Sequence, residues 1–337
     1  MNKNPHILVI RLSALGDVAM AIPVLRAFTK QHPNVKITFL SKPFLKPLFN
    51  EFENVNFYAA EVNGKHKGFL GLYNLFVELS KLNITEVADL HNVLRSKILR
   101  FFFSLVFLKT KHIDKGRTEK NNLTKPEGKV FKQLKTSVER YADVFRKLGY
   151  TLDLSNPEFP QPKNLTQDVI NITGKKNNLW IGIAPFAQYA TKMYPLPQME
   201  DVIRILSQQN NCKILLFGGG KKEVEILSNY EQKFENAINV AGKLNLEKEL
   251  DLISNLDVML SMDSGNAHFG AMQGINVVTI WGATHPYAGF APFNQPKSNA
   301  LLPNLEKYPK LPTSIYGNKK VEGYENVMES ITPKIVV

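Results

Sequence analysis

Short apolar runs alternate with helix-patterned segments along this chain, and this alternation constrains the fold more than any other feature. Residues 7–10 are all apolar, as in a strand covered on both faces. Residues 14–30 follow with helical spacing, because Val18, Ile22 and Leu25 fall on one side. Further strand patterns lie at 35–40, 55–58 and 84–90, with a helix pattern at 69–82. This order predicts a mostly parallel sheet.

The alternation stops at residues 155–178, which are turn-rich and polar, and then resumes. The second run of strand patterns lies at 180–184, 213–217, 237–240, 258–261 and 276–280, with helix patterns at 198–208, 222–234, 246–254 and 266–273. A last helix pattern covers 324–331. The chain is therefore predicted to be an α/β protein with two open sheets joined by a linker. Ligands of such sheets bind outside the carboxyl ends of the strands, so functional residues should follow strands.

Charge and cysteine content narrow the partners of the chain. The 337 residues carry a formal net charge of +12, which favours nucleic acid, anionic membrane or phosphorylated substrates as partners. The single cysteine, Cys212, rules out a disulfide within the chain and lies in an apolar run typical of a core. Arg11 ends the first apolar run too early for a signal peptide, and no stretch is long enough to span a membrane.

The first strand pattern runs into Arg11-Leu12-Ser13-Ala14-Leu15-Gly16-Asp17. Asp17 lies in the opening turn of a helix, where the helix dipole favours a negative charge. A helix cap explains this carboxylate adequately. A general base facing the cleft between the two domains is the functional alternative, and only geometry can decide between them.

The segment 262–274, MDSGNAHFGAMQG, follows a strand pattern and opens a helix. Gly265 allows an anion to approach the unpaired N–H groups of the first turn, and His268 can donate to an oxygen. Capping by Asp263 or Ser264 is the structural alternative. Lys192 follows another strand and suits a phosphate, although alone it would be interpreted as a solvated surface lysine.

Half of the charge surplus lies between residues 109 and 135, where nine Lys or Arg face three Asp or Glu. The preceding run Phe101-Phe102-Phe103-Ser104-Leu105-Val106-Phe107-Leu108 is typical of a buried helix. A patch facing anionic lipid is the functional alternative for residues 101–135. No nucleic-acid reader motif accompanies the charge, so no nucleic-acid partner is predicted.

Several common sites are absent from the sequence. Gly218-Gly219-Gly220 begins a dinucleotide fingerprint, but Glu223 stands where its last glycine should be, which counts against a nicotinamide oxidoreductase. There is no Walker lysine motif and no Asp-x-Asp pair. We therefore predict no cofactor and no metal site.

A series of motifs resembles glycosyltransferase family 9, the lipopolysaccharide heptosyltransferases. The resemblance covers residues 7 to about 293 and rests on Arg11–Asp17 followed by Pro23, Asp89-Leu90-His91, Glu139-Arg140-Tyr141, Lys192 before Tyr194-Pro195, Asp263-Ser264-Gly265-x-x-His268 and Trp281-Gly282-x-Thr284. Three places depart from the family pattern: Met20, His285 and Phe186-Ala187.

The resemblance implies a GT-B fold with two Rossmann-like doubly wound domains facing a cleft. Residues 1–165 would bind the acceptor and residues 166–320 the nucleotide sugar, while a C-terminal helix in 321–337 would pack back on the first domain. Asp17 would be the catalytic base. The donor would meet Thr191, Lys192, Asp263, Ser264, Gly265 and His268; the acceptor-side candidates are Arg11, Ser13, Gly16, His91 and Arg95.

The resemblance also implies an inverting, metal-independent transfer of heptose from ADP-heptose onto the lipopolysaccharide inner core. The partners would be this donor, an anionic lipid-linked glycan and the inner face of the cytoplasmic membrane, with the protein cytoplasmic and peripheral. Two alternatives stay open: transfer of another nucleotide sugar to another glycan, and non-catalytic binding of a nucleotide sugar or glycan.

Overall fold

Two parallel sheets organise the computed structural model, which describes residues 5–337. The chain forms two structural units, of which the first comprises residues up to Lys115 together with Ser137–Glu158. The second unit comprises Gly116–Thr136 and Phe159–Val337. The segment Gly116–Thr136 is therefore an excursion of the chain into the second unit, which the charge pattern of this region did not predict.

The first unit has a five-stranded sheet in the order β3-β2-β1-β4-β5, with all neighbours parallel. Its strands are β1 (His6–Ile10), β2 (Lys36–Ser41), β3 (Val55–Ala59), β4 (Glu86–Asp89) and β5 (Lys109–His112). Its helices are α1 (Leu15–Ala19), α2 (Ile22–Gln31), α3 (Gly68–Ser80), α4 (Leu94–Leu105) and α6 (Ser137–Leu148). Every residue of β1 is buried, as its apolar run predicts for a central strand.

The second unit has a six-stranded parallel sheet in the order β11-β10-β9-β6-β7-β8. Its strands are β6 (Leu179–Ala184), β7 (Cys212–Leu216), β8 (Ala237–Asn239), β9 (Val258–Met262), β10 (Asn276–Ile280) and β11 (Ala300–Leu301). Its helices are α5 (Arg117–Leu123), α7 (Gln167–Thr173), α8 (Leu196–Ser207), α9 (Lys221–Lys233), α10 (Leu246–Ile253), α11 (Gly265–Met272) and α12 (Pro333–Val336). Cys212 is buried in the core of this unit, as predicted.

The C-terminal segment differs from its sequence pattern. The helix expected at 324–331 is a short 3₁₀ turn, Val327–Ser330, followed by α12. Val327, Met328 and Ile331 join the core of the second unit, and Tyr194 donates a hydrogen bond to the Ile331 carbonyl at 2.5 Å. The segment thus packs into the core of the second unit. Its packing on the first unit, which the resemblance implies, stays a prediction.

Two other local predictions are wrong. The single helix expected at 14–30 is two helices, α1 and α2, separated at Met20 and Ala21. The run 101–108 is not a buried helix: Phe102 and Phe103 are buried, but Phe101, Leu105 and Phe107 are exposed. Residues 109–112 form strand β5, which their lysines concealed from a hydrophobicity pattern.

Candidate active site

Each sheet has one point at which the strand order reverses, and the candidate residues gather there. In the first sheet β1 lies between β2 and β4, and in the second β6 lies between β7 and β9. Ligands of open α/β sheets bind at the carboxyl ends of the strands at such points. Arg11 and His91 follow β1 and β4, and Lys192 and Asp263 follow β6 and β9. The candidates from distant parts of the sequence are thus brought to these two positions by topology.

In the first unit, Arg11, Asp17 and His91 form what we call the Asp17 cluster. Arg11 Nη2 lies 2.6 Å from Asp17 Oδ2, and the same oxygen accepts a hydrogen bond from the Ala14 N–H at 3.2 Å. A carboxylate offers about four acceptor sites, which is more than these two contacts use. The Asp17 side chain retains 27% exposure, whereas that of Arg11 retains 8%. The cluster therefore presents a carboxylate oxygen that can accept a further hydrogen bond.

Arg11 has two further contacts besides its ion pair with Asp17. Its Nη1 donates to the Leu90 carbonyl at 2.9 Å, and its guanidinium lies 5.7 Å from the ring centre of Tyr141. Tyr141 is almost fully buried, and burial raises the pKa of its phenol, so the ring stays neutral. A guanidinium against an aromatic face is favourable and fixes its plane. Arg11 is thus a rigid support for Asp17.

His91 is oriented by two backbone contacts. Its Nδ1 accepts a hydrogen bond from the Leu12 N–H at 3.3 Å, which places the ring proton on Nε2 in the neutral form. Asp89 Oδ1 accepts from the N–H of His91 at 2.9 Å and fixes the turn. Burial lowers the pKa of His91 to about 3, with repulsion from Arg11 adding to the effect. At neutral pH His91 is a hydrogen-bond donor through Nε2 and not a base.

The remaining acceptor-side candidates surround this cluster. Ser13 lies in the loop between β1 and α1, and Gly16 is the second residue of α1. Arg95 is the second residue of α4, is exposed, and contributes to the lowered pKa of His91 through its charge. All five candidates of the acceptor side therefore lie in the two loops and helix starts that follow β1 and β4.

In the second unit, Lys192, Asp263 and Thr284 form the Lys192 cluster. Lys192 Nζ lies 3.0 Å from Asp263 Oδ2, which also accepts a hydrogen bond from Thr284 Oγ1 at 2.8 Å. The side chains of Lys192 and Asp263 are 13% and 9% exposed. Asp263 is nearly closed off from solvent, and the Lys192 ammonium has three N–H donors, of which this ion pair uses one. This cluster therefore presents a cation.

A close backbone approach fixes Lys192 from behind. Gly317 has φ +82°, and a β-carbon on it would lie 2.4 Å from Lys192 Cδ. Its carbonyl accepts a hydrogen bond from Thr191 Oγ1. The Thr191 carbonyl in turn accepts from the Ala283 N–H at 2.9 Å. Thr191, predicted to contact the donor directly, thus uses its hydroxyl to position the loop beneath Lys192.

Helix α11 begins beside the Lys192 cluster without a side-chain cap. Ser264 is its N-cap residue but makes no capping hydrogen bond, since its hydroxyl lies 3.1 Å from Ser261 Oγ instead. The capping alternative for Ser264 is therefore wrong in this structure. The N–H groups after Gly265 form the positive end of the helix dipole. His268 lies in this helix and is buried.

Sequence reasoning missed one contact region of the second unit. His285 is 2% exposed and follows Thr284 directly. Phe131 and Tyr287 lie with ring centres 5.0 and 4.5 Å from its ring. Its Nδ1 accepts from the Tyr287 N–H at 3.1 Å, and burial lowers its pKa to about 4. Phe131 belongs to the segment Gly116–Thr136, which reaches His285 within the second unit. In the sequence, the only signal for this contact was that His285 departs from the family pattern.

The described part of the chain, residues 5–337, contains no group of three or more His, Cys, Asp or Glu side chains placed to hold a metal ion. The charged groups at the two switch points are instead paired as cation and anion. What these groups supply chemically is a carboxylate acceptor in one unit and an ammonium beside a helix N-terminus in the other.

Comparisons with known proteins place the chain among sugar transferases. The family model described as glycosyltransferase family 9 (heptosyltransferase) matches residues 74–319. The chain is 24% identical over 294 residues to the lipopolysaccharide core heptosyltransferase OpsX of Haemophilus influenzae, covering 85% of this chain and 81% of that protein. It is 26% identical over 303 residues to lipopolysaccharide heptosyltransferase 1 of Campylobacter coli, covering 83% and 85%.

Solved structures show the same fold. A family 9 glycosyltransferase of Veillonella parvula superposes with a TM-score of 0.75 at 20% identity, covering 100% of this chain and 96% of that one. The E. coli heptosyltransferase WaaC with ADP superposes with a TM-score of 0.71 at 18% identity, covering 98% and 97%. The predicted GT-B fold class is confirmed. The match over residues 74–319 exceeds half of the chain, and the chain therefore belongs to glycosyltransferase family 9, the heptosyltransferase family.

Proposed function

We propose that this glycosyltransferase moves a heptose from ADP-heptose onto the inner core of lipopolysaccharide, with inversion at the anomeric carbon and without a metal ion. The relatives named above act on lipopolysaccharide, and a solved relative binds ADP. The observation that carries the proposal is the Lys192 cluster at the uncapped start of α11. A fixed ammonium next to a helix N-terminus suits the diphosphate of a nucleotide sugar.

The Lys192 cluster would stabilise the leaving group. As the bond between the anomeric carbon and the phosphate oxygen breaks, its electron pair stays on the nucleoside diphosphate. Lys192 and the N–H groups of α11 are in place before this charge develops, so they stabilise it without reorganising. Ser264, Gly265 and His268 would contact the donor from this helix, while Thr191 and Asp263 keep Lys192 in position.

Asp17 would act as the general base on the acceptor hydroxyl. Arg11 and the Ala14 N–H contact its Oδ2, and the remaining acceptor capacity of the carboxylate would take the proton. The acceptor oxygen then forms the new bond to the anomeric carbon on the face opposite to the leaving diphosphate. A positioned base typically contributes about 10²–10⁴ in rate. Helix capping and catalysis are compatible here, since a carboxylate can accept about four hydrogen bonds.

His91 would orient the acceptor and not replace Asp17. Its Nδ1 already accepts from the Leu12 N–H, so the ring proton is on Nε2, which can donate to the acceptor. With a pKa lowered to about 3, the ring has no tendency to take a proton at neutral pH. Arg11, Ser13, Gly16 and Arg95 complete the proposed acceptor-side surface.

The metal-free step is tested by chelation. Because Lys192 and α11 supply the positive charge, activity should survive EDTA at a concentration far above any trace metal. Turnover would be measured as ADP release before and after chelation, with a metal-dependent sugar transferase as the control. Loss of turnover that returns on adding magnesium would contradict the metal-free mechanism.

We further propose that the protein works at the cytoplasmic face of the inner membrane, bound peripherally, because its proposed acceptor is lipid-linked. Among residues 5–337, none of the helices has the length and apolar character needed to cross a bilayer. The net charge of +12 would favour contact of the protein surface with anionic lipid.

A panel of nucleotide sugars tests the donor. Thermal stability would be measured with ADP-, UDP- and GDP-sugars, and a ligand at about 100 times its dissociation constant adds about 2.7 kcal/mol of stability. ADP-heptose should stabilise the protein most, and with a lipopolysaccharide acceptor it should yield ADP and an inverted glycoside. If a different nucleotide sugar stabilised the protein most, that sugar would be identified as the donor instead of ADP-heptose. Binding without ADP release would support the non-catalytic alternative.

A further inference from the structure

Helix α4 exposes an apolar stripe to solvent. Leu94, Phe101 and Leu105 are 73%, 56% and 59% exposed, and Ile98 lies between them at the same helical spacing. Positions separated by three or four residues lie on one face of a helix. The opposite face carries Leu99 and is packed into the first unit. An amphipathic helix should bury its apolar residues, but α4 also exposes Leu94, Phe101 and Leu105.

Helix α3 has the same character. Its exposed residues Phe69, Leu70, Tyr73 and Val77 are 61%, 77%, 48% and 38% accessible. They recur at spacings of three and four residues, which places them on one side of the helix. Leu72, Leu75 and Leu79 form the opposite side and lie in the core of the first unit.

Aromatic contacts join the two stripes into one surface. The ring of Phe102 in α4 lies 5.5 Å from Phe69 and 5.6 Å from Tyr73 of α3, measured between ring centres. It also lies 6.1 Å from the exposed Phe101 of its own helix. We call the exposed apolar side chains of these two helices the α3–α4 face. It comprises Phe69, Leu70, Tyr73, Val77, Leu94, Phe101 and Leu105. Monomeric proteins rarely leave such a contiguous apolar surface without an interaction partner.

Phe107 is a second, independent observation at the end of α4. Its side chain is 96% exposed and its backbone has φ +60°. The Phe107 N–H donates to the Ser104 carbonyl at 3.1 Å and the Leu108 N–H to Phe103 at 3.2 Å. In this type of helix end the left-handed residue is usually glycine, which has no β-carbon to strain. A phenylalanine there serves neither the core nor the turn.

Charge around the α3–α4 face is positive. Residues 65–111 contain eight Lys or Arg and three Asp or Glu. Each of the three acids is engaged inside the unit: Glu78 with Tyr58, Glu86 with Tyr150 and Asp89 with Arg100. The basic residues left exposed in this stretch include Lys67, Lys81, Arg95 and Lys97. Lysine is depleted at protein–protein interfaces, whereas exposed basic and aromatic residues together suit anionic headgroups.

We propose that the α3–α4 face, with Phe107, is the surface by which this protein binds an anionic lipid bilayer. The aromatic and aliphatic side chains enter the boundary between headgroups and acyl chains, and the flanking basic residues contact the headgroups. This inference deepens the proposed peripheral location and moves the contact away from most of residues 109–135. In that region Lys129 donates to the carbonyls of Leu311 and Pro312 within the second unit.

Vesicle co-sedimentation with full-length protein tests this proposal. Vesicles of phosphatidylcholine alone and with phosphatidylglycerol would be compared at low and high salt. Phe101→Ser and Leu105→Ser should each reduce partitioning onto the anionic vesicles by about tenfold. Phe44→Ser is the matched control, since Phe44 is also 56% exposed but lies outside the face. Salt should weaken binding of the wild type.

Phe107→Gly separates binding from folding. Glycine suits the left-handed backbone, so the variant should keep or gain thermal stability while losing about tenfold in vesicle partitioning. Equal partitioning of all variants, or of neutral and anionic vesicles, would overturn the proposal. So would a dimer in the absence of vesicles that Phe101→Ser converts to monomer, because the face would then bind a second copy of the chain.

The vesicle-binding result can be separated from the proposed transfer reaction. ADP release with a water-soluble acceptor fragment would be measured on the same variants, and it should be unchanged because none of them lies in the Asp17 or Lys192 cluster. Vesicle binding that depends on the α3–α4 face in a protein without turnover would contradict the proposed function alone. Turnover with vesicle binding that ignores the face would contradict this inference alone.

Discussion

The Asp17 cluster and the Lys192 cluster are built from the same parts but are exposed in opposite ways. Each has a cation and a carboxylate that follow strands at the switch point of a parallel sheet. In the first, Arg11 is 8% exposed and Asp17 27%; in the second, Lys192 is 13% exposed and Asp263 9%. In the first cluster the carboxylate is clearly the more exposed partner, and in the second the ammonium is slightly the more exposed. The difference supports the proposal that the first cluster removes the proton and the second stabilises the leaving charge.

The largest expected effect breaks the Asp17 cluster. Asp17→Asn should lower turnover by about 10²–10⁴-fold, because the amide cannot take a proton from the acceptor. Its oxygen can still accept the Ala14 N–H, but the buried Arg11 loses the charge of its partner, so stability should fall by about 1–3 kcal/mol. Steady-state ADP release and thermal unfolding on the same sample measure both. A stable variant with near-normal turnover would end the assignment of Asp17 as the base.

A smaller effect is expected at the Lys192 cluster. Lys192→Ala should weaken ADP binding by about 10–100-fold, since hydrogen bonds to charged groups contribute about 1.5–3 kcal/mol. Calorimetry with ADP is the measurement. Lys222→Ala, an exposed lysine of the same unit, is the control and should bind normally. Equal affinity in the two variants would remove Lys192 from the donor site.

Gly317 sharpens the comparison by testing how Lys192 is held. In Gly317→Ala the new methyl group would lie 2.4 Å from Lys192 Cδ, so Lys192 must move and ADP affinity should drop by about fivefold. Gly323→Ala shares the positive φ but has open space around it, so it isolates the backbone cost. ADP affinity reduced equally in both variants would show that displacement of Lys192 is not the cause.

The smallest effect concerns the pH dependence of folding stability. Each cluster has a buried neutral histidine in or beside it: His91 in the Asp17 cluster and His285 next to Thr284 of the Lys192 cluster. Folding lowers the pKa of His91 to about 3 and that of His285 to about 4, mainly through burial. The unfolded chain therefore binds these protons first, and stability is full above about pH 6.5 and falls as the pH drops toward 4. The loss should be about 1 kcal/mol per histidine near pH 5.5.

Replacing the histidines tests this linkage. His91→Asn and His285→Asn keep an acceptor for the Leu12 and Tyr287 N–H groups but cannot titrate. Denaturant unfolding between pH 7.5 and 5 should show a shallower decline for each variant than for the wild type. Parallel curves for all three proteins would contradict the buried neutral state of these side chains.

The sequence predicted the parts of this molecule that depend on local pattern. Strands such as β1 and β9 were recognisable because buried parallel strands are continuous apolar runs, and functional residues were expected directly after them. The motif around Asp17 and that around Asp263 were found for this reason. Most of the fold was accessible in this way, whereas candidates such as Thr191, His91 and Arg95 entered only through the family resemblance.

What the sequence could not predict depends on contacts between distant residues. Asp263 pairs with Lys192, 71 positions earlier, and Gly317 supports Lys192 from 125 positions later. The exposed stripe of α4 was misjudged because apolar residues look alike whether a neighbouring element covers them or not. Strand β5 was hidden because two of its four residues are lysines. Such features follow from packing, which no local pattern encodes.

Single-turnover rates at varied ADP-heptose concentration, with saturating acceptor, test the division of roles most directly. For Asp17→Asn the maximal rate should fall by about 10²–10⁴-fold while the donor concentration giving half of that rate stays unchanged. For Lys192→Ala the half-saturating donor concentration should rise by about 10–100-fold. A change of half-saturation in Asp17→Asn, or none in Lys192→Ala, would contradict the assignment of proton removal to one cluster and donor charge to the other.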